Sequence, residues 1–166
     1  LSRQLDTLAK YVPDPVKPVL RPFYPLYRSA LEQWFQFLPE RTIETPWGIK
    51  IRVNPSNFVE RRLAYGIFEA AVIEYVIENL TDVEQFVDIG ANVGFYSILF
   101  AMHSDDESEV HAFEPLSRNL LRFEQNISEN NVTSVNIHEV ALSDRHGTVE
   151  LQVSDKHPGE SSLSAN

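Results

Sequence analysis

The chain has 166 residues, 43% of them hydrophobic and 11% aromatic, enough to bury one ordinary core. Its 14 lysines and arginines stand against 24 aspartates and glutamates, and the resulting net charge of -10 repels phosphate backbones and argues against nucleic acid as the main partner. With no cysteine, disulfides, thiolate metal sites and cysteine nucleophiles are excluded.

The start, "LSRQLDTLAK", lacks the apolar core of a signal peptide, and no stretch approaches the roughly 20 apolar residues of a membrane span, so a cytoplasmic protein is expected. Pro13, Pro15, Pro18, Pro22 and Pro25, five of the ten prolines, prevent a continuous helix and predict an extended arm. In "LYRSALEQWFQFL" the residues Tyr27, Ala30, Leu31, Trp34 and Leu38 recur at helical spacing, with Phe35 and Phe37 on the flanks. That stripe either packs on the domain that follows or serves a dimer or membrane-surface contact. Residues 1–41 are thus read as arm and amphipathic helix, and residues 42–166 as the domain.

"RTIETPWGIKIRVNPSN" spaces Ile43, Thr45, Ile49, Ile51 and Val53 around Pro46-Trp47-Gly48, a hairpin signature. A helix should follow from Ile67, with Phe68, Ala71, Val72, Tyr75, Val76 and Leu80 inward and Glu74 and Glu78 outward. From residue 86 strands and helices alternate. "QFVDIG" is a strand, and Phe95, Ile98, Leu99 and Met102 carry a helix. "HSDDESE" reads as a solvated turn, not a metal cluster, and "EVHAFEP" as the second strand. Pro115 suits the first turn of a helix facing inward through Leu116, Leu120, Phe123 and Ile127. "NNVTS" breaks that helix, "VNIHEVAL" is a third strand, and Val149, Leu151 and Val153 alternate as in an edge or hairpin strand. The sequons at Asn79, Asn126 and Asn131 read as chance. This order predicts an α/β, Rossmann-like fold with a parallel sheet, whose ligands bind beyond the carboxyl ends of the strands.

Gly90 and Gly94 flank Ala91-Asn92-Val93, so the main chain bends sharply and should expose amide hydrogens to a ligand. A dinucleotide fingerprint wants glycine where Asn92 and Phe95 stand, which disfavours a pyrophosphate. Asp88, two residues before the first glycine, would repel that anion and favour a ligand with a cationic end, such as the ammonium and sulfonium of S-adenosylmethionine. Glu114 closes the second strand at 114 − 88 = 26 positions beyond Asp88, near the separation of about 20 that sets an acid on a ribose diol. The alternative is that both residues merely cap a turn and a helix.

On "FVDIGANVGFYS", "VHAFEP" and "VALSDRHGTVEL", with "PWG" and "YGIFE" in support, the chain resembles the FkbM family of S-adenosylmethionine-dependent methyltransferases over roughly residues 42–166. The resemblance implies a class I methyltransferase fold in which Asp88, Gly90, Ala91, Asn92 and Gly94 hold the methionine end. It further implies Glu114 on the ribose hydroxyls and Ala141 with its neighbours on the adenine, although Val140 stands where many related enzymes carry an acid. Glu69 also matches a family position.

Family members continue past the "TVEL" hairpin into a fourth parallel strand, whereas this sequence ends at "GESSLSAN". It is therefore expected to be the amino-terminal part of a longer domain, or to pair its open sheet edge with another copy. The function implied is O-methylation of a sugar, glycolipid or secondary-metabolite hydroxyl. A nicotinamide-dependent oxidoreductase and a non-catalytic interaction module using residues 27–38 are the rivals. The partners expected are a small-molecule or glycan acceptor and a second copy; no metal is called for. His103, His111, His138, His146 and His157 each read as solvated or packed, so no catalytic base is assigned.

Overall fold

The computed structural model describes residues 37, 39–64, 69–80, 83–104, 108–148, 151–153 and 161–163. The Pro-rich arm, residues 27–36 and Leu38 of the aromatic stripe, residues 65–68, residues 105–107 of the acidic stretch, Val149 and His157 lie outside the described residues.

β1 (Arg41–Glu44) pairs antiparallel with β2 (Lys50–Val53), placing Ile43 opposite Ile51 as the hairpin signature requires. Gly48 closes the turn at φ 78°, a conformation that costs glycine nothing. Ile49, Ile51 and Val53 are fully buried, whereas the alternating Lys50 and Arg52 are exposed.

α1 (Phe58–Ala64) was not expected. Its start is written in "NFVE": Asn57 Oδ1 accepts the N–H groups of Val59 and Glu60 at 2.9 and 3.3 Å, the work of an N-cap. Glu60 stands where a capping-box acid would, but its carboxylate takes the Asn54 N–H at 2.6 Å instead.

α2 (Ala70–Glu78) keeps Val76 inward and Glu74 and Glu78 outward as expected, with Leu80 buried just past its end, but corrects the rest of the inward face. Ile73 is fully buried and Val76 and Ile77 pack on the core, while Val72 and Tyr75 stay 49% and 66% exposed. "AAVIEYVI" is apolar nearly all round, so spacing alone could not choose between adjacent faces.

β3 (Gln85–Ile89), β4 (Glu109–Phe113) and β5 (Val135–His138) form the expected parallel sheet in that order, joined by α3 (Phe95–His103) and α4 (Ser117–Asn130). The molecule is α/β, with the parallel sheet and crossover helices of a Rossmann-like domain. One face of the sheet packs under α3: Phe86 stacks on Phe100 at 4.8 Å, and Val110 and Ala112 are fully buried. On the opposite face Val87 and Ile89 remain 52% and 67% exposed.

Two local expectations shift. α4 begins at Ser117 after an extended Leu116, so Pro115 precedes the helix and does not sit in its first turn. Its far end does break at Asn131, held left-handed at φ 55°. Beyond the sheet, β6 (Leu151–Val153) pairs antiparallel with β7 (Ser161–Leu163), a strand the sequence reading did not contain.

Helix α4 also serves as a neighbour for β2. The Lys50 N–H donates to Asn130 Oδ1 at 2.8 Å and Asn130 Nδ2 donates back to the Lys50 carbonyl. The Arg52 N–H donates to Asn126 Oδ1 at 2.8 Å, and Arg122 Nη2 donates to the Arg52 carbonyl at 2.9 Å. Residues 122, 126 and 130 share one helix face, so α4 satisfies the outward backbone groups of both residues. Asn126 is fully buried, which removes its sequon from consideration in the folded protein.

Candidate functional site

The spelling Gly-Ala-Asn-Val-Gly follows from the backbone. Gly90, Asn92 and Gly94 adopt φ of 76°, 53° and 81°, so every second residue is left-handed, and only glycine or asparagine enters that region readily. The chain thereby reverses from β3 into α3 at the carboxyl end of the sheet.

Four of the turn's amide hydrogens are turned onto protein oxygens, contrary to the expectation that they would be exposed. Those of Gly90 and Ala91 both donate to the Phe113 carbonyl at 2.9 and 3.0 Å, that of Gly94 to the Ala91 carbonyl at 2.8 Å, and that of Asn92 to Glu114 Oε2 at 2.8 Å. Four donors that a pyrophosphate would need are already engaged by protein oxygens.

Glu114, 4% exposed, is the hub of this arrangement. Besides the Asn92 N–H, its carboxylate accepts the Leu116 N–H at 3.0 Å and the Asn119 side-chain amide at 3.1 Å. Its own N–H donates to the His138 carbonyl, which ties the ends of β4 and β5 together. One side chain thus fixes the glycine turn and the entry to α4.

Asp88 lies within electrostatic reach of Glu114. Burial pushes its carboxyl above the usual range; the Ser97 hydroxyl, donating to Oδ2 at 2.7 Å, and the Ser97 backbone pull it back, and the charge of Glu114 adds to the rise. Among the described residues no ion pair reaches Asp88.

The two glycines differ. A β-carbon at Gly94 would overlap the Phe123 ring, so its bareness lets α4 approach the turn. A β-carbon at Gly90 would meet nothing within 4 Å, and Gly90 is exposed: here the main chain faces open space. Ala141 follows the end of β5 by three residues, at the same end of the sheet, and is half-buried. The structure therefore brings Asp88, Gly90, Ala91, Asn92, Gly94 and Glu114 together, whereas among the described residues no hydrogen bond ties Ala141 to them.

Sequence reasoning passed over two partners. Tyr96 Oη donates to Glu69 Oε2 at 2.6 Å across 27 positions, and Phe123 was placed in the core but not against the turn. Only the neighbouring "GFYS" and "IFE" could have hinted at the first. Among the described residues the histidine rings take no part in the turn's hydrogen bonds: His103 contacts the Leu99 carbonyl at 2.9 Å, and His111 meets His138 at 3.2 Å, with His138 stacked on Phe113. No cluster of three metal-ligating side chains occurs among the described residues.

No protein-family profile matches the chain, and no curated protein matches it. Among solved structures it is similar to an rRNA methylase from Streptococcus thermophilus, at 19% identity and TM-score 0.39, over 43% of this chain and 38% of that one. A protein of Pyrococcus horikoshii assigned by inference to the transferases aligns at 15% identity and TM-score 0.49, over 84% of this chain and 63% of its own. The chain thus spans less than two thirds of the proteins it resembles in structure.

Proposed function

We propose that the chain is the adenosyl-donor-binding part of an S-adenosylmethionine-dependent methyltransferase of the FkbM kind, acting on a hydroxyl of a sugar, glycolipid or secondary metabolite. The observation that carries this reading is the polarity of the turn. Four of its amides are spent inside the protein, while Asp88 stands beside it with no cationic partner among the described residues. A partly buried carboxylate in that position is relieved by a positive ligand and opposed to an anionic one. The same observation weighs against a nicotinamide dinucleotide.

S-adenosylmethionine, when bound, supplies the methyl group on a sulfonium. The residues present fit it: Asp88 and the chain at Ala91 and Asn92 would face the methionine end, Gly90 opens the space above the strand tips, and Glu114 holds the turn in shape. Glu114 keeps three protein donors, so its contribution to a ribose would come through the geometry it imposes as well as through direct contact. Methyl transfer to oxygen needs alignment, to which this part of the fold would contribute by holding the donor, and transfer of the acceptor proton to a base. Residues of the acceptor side are not assigned.

Titration calorimetry of the full chain with S-adenosylhomocysteine and, separately, with NADH tests the proposal. Heat with the first and none with the second is expected; the reverse, or no heat and no thermal shift with S-adenosylhomocysteine, overturns it.

A further inference from the structure

Glu69 opens α2 yet does not cap it. Its backbone is left-handed at φ 42° and ψ 35°, its side chain makes no cap hydrogen bond, and only its carbonyl serves the helix, accepting the Val72 and Ile73 N–H groups. Glutamate, unlike glycine or asparagine, rarely enters this conformation. In this conformation the carboxylate accepts the Tyr96 hydroxyl, on the first turn of α3 after Gly94.

Tyr96 reports the surroundings of that carboxylate. Burial first, then the hydrogen bond and charge of Glu69, then the charge of Asp88, hold its phenol well above the usual range. Glu69 and Asp88 therefore both act on one hydroxyl, and Ser97, the next residue, holds Asp88. Among the described residues no ion pair reaches either acid. Glu69 is exposed, so its carboxylate is open to a ligand entering beside the turn.

We infer that Glu69 is a specificity-determining residue of the proposed adenosyl site, selecting ligands that carry a primary ammonium, and that Tyr96 is the positioning residue that aims its carboxylate. The inference rests on the adenosyl-donor reading above and adds to it the group that reads the amino-acid end. A hydroxyl has a single hydrogen to donate, so Tyr96 fixes one oxygen of Glu69 and leaves the charge uncompensated. An ammonium brings the positive charge that Tyr96 cannot.

The test uses the full chain and two probes that share the adenosyl group, S-adenosylhomocysteine, which carries the ammonium, and 5′-methylthioadenosine, which lacks the amino-acid end. Glu69→Gln keeps an acceptor for Tyr96 and removes the charge. It should weaken S-adenosylhomocysteine about tenfold or more and leave 5′-methylthioadenosine within twofold. Tyr96→Phe should weaken the first probe several-fold and spare the second, with melting temperatures recorded for every variant. Equal loss for both probes, or no loss for either, overturns the role of Glu69 while leaving the donor site standing. Binding of neither probe by the unmodified chain overturns the donor site and this inference with it.

Discussion

Asn126 donates its side-chain N–H to the Val93 carbonyl at 2.9 Å while its oxygen accepts the Arg52 N–H at 2.8 Å. One buried amide on α4 thereby joins the glycine turn to the hairpin. Asn126→Ala would leave a buried carbonyl and a strand N–H unpaired, each worth about 1–3 kcal/mol, so a loss of about 2–4 kcal/mol is expected in urea unfolding. Asn126→Asp should recover the Arg52 bond alone.

Gly94→Ala and Gly90→Ala should part company. The first forces a left-handed alanine into the Phe123 ring and should cost about 2–4 kcal/mol, whereas the second meets no atom and should cost only about 1–2 kcal/mol of backbone strain. Thermal melts rank them, and Phe123→Leu should rescue the first variant and not the second. Binding of S-adenosylhomocysteine should suffer at least as much in Gly90→Ala as its smaller stability loss, because its methyl group enters the open side of the turn.

Glu114→Ala should act on stability before it acts on affinity. Its three donors are the Asn92 and Leu116 N–H groups and the Asn119 amide, so removal should cost about 2–4 kcal/mol and loosen the turn. Hydrogen exchange at Asn92 and Leu116 should accelerate in the variant even without ligand.

Glu60 sets a pH dependence. Burial outweighs the Asn54 N–H and Arg122 and, with the charge of Glu40 adding, pushes its carboxyl from 4.5 to about 7. A group raised on folding binds its proton more tightly in the native state. Its contribution is therefore fully present below about 4.5 and is lost as pH rises through about 7, by at most roughly 3 kcal/mol. Unfolding free energies at pH 5 and 8 should show this fall, and Glu60→Gln should flatten it. Asp88, also raised by burial, shifts stability in the same sense.

The turn was legible because its chemistry is local. Residues 90, 92 and 94 advertise left-handed backbone by type, and an acid at the carboxyl end of each strand, Asp88 in β3 and Glu114 just past β4, marks the tips of a parallel sheet. Contacts between distant elements were not. Nothing near Asn126 in sequence says that a polar residue belongs on a buried face, since its partners Val93 and Arg52 are 33 and 74 positions away. The face of α2 was misjudged for a different reason: a nearly all-apolar helix carries no stripe, and Ile73 was chosen over Val72 by packing in the assembled core.

Because α4 lends its amide and guanidinium groups to Lys50 and Arg52, β2 offers no free ladder to a stray extended peptide. Templated fibril growth, which needs such a ladder, is blocked on that side of the hairpin by a helix that cannot itself be extended into a sheet. Ordered self-assembly of chains would have to use an edge other than that of β2.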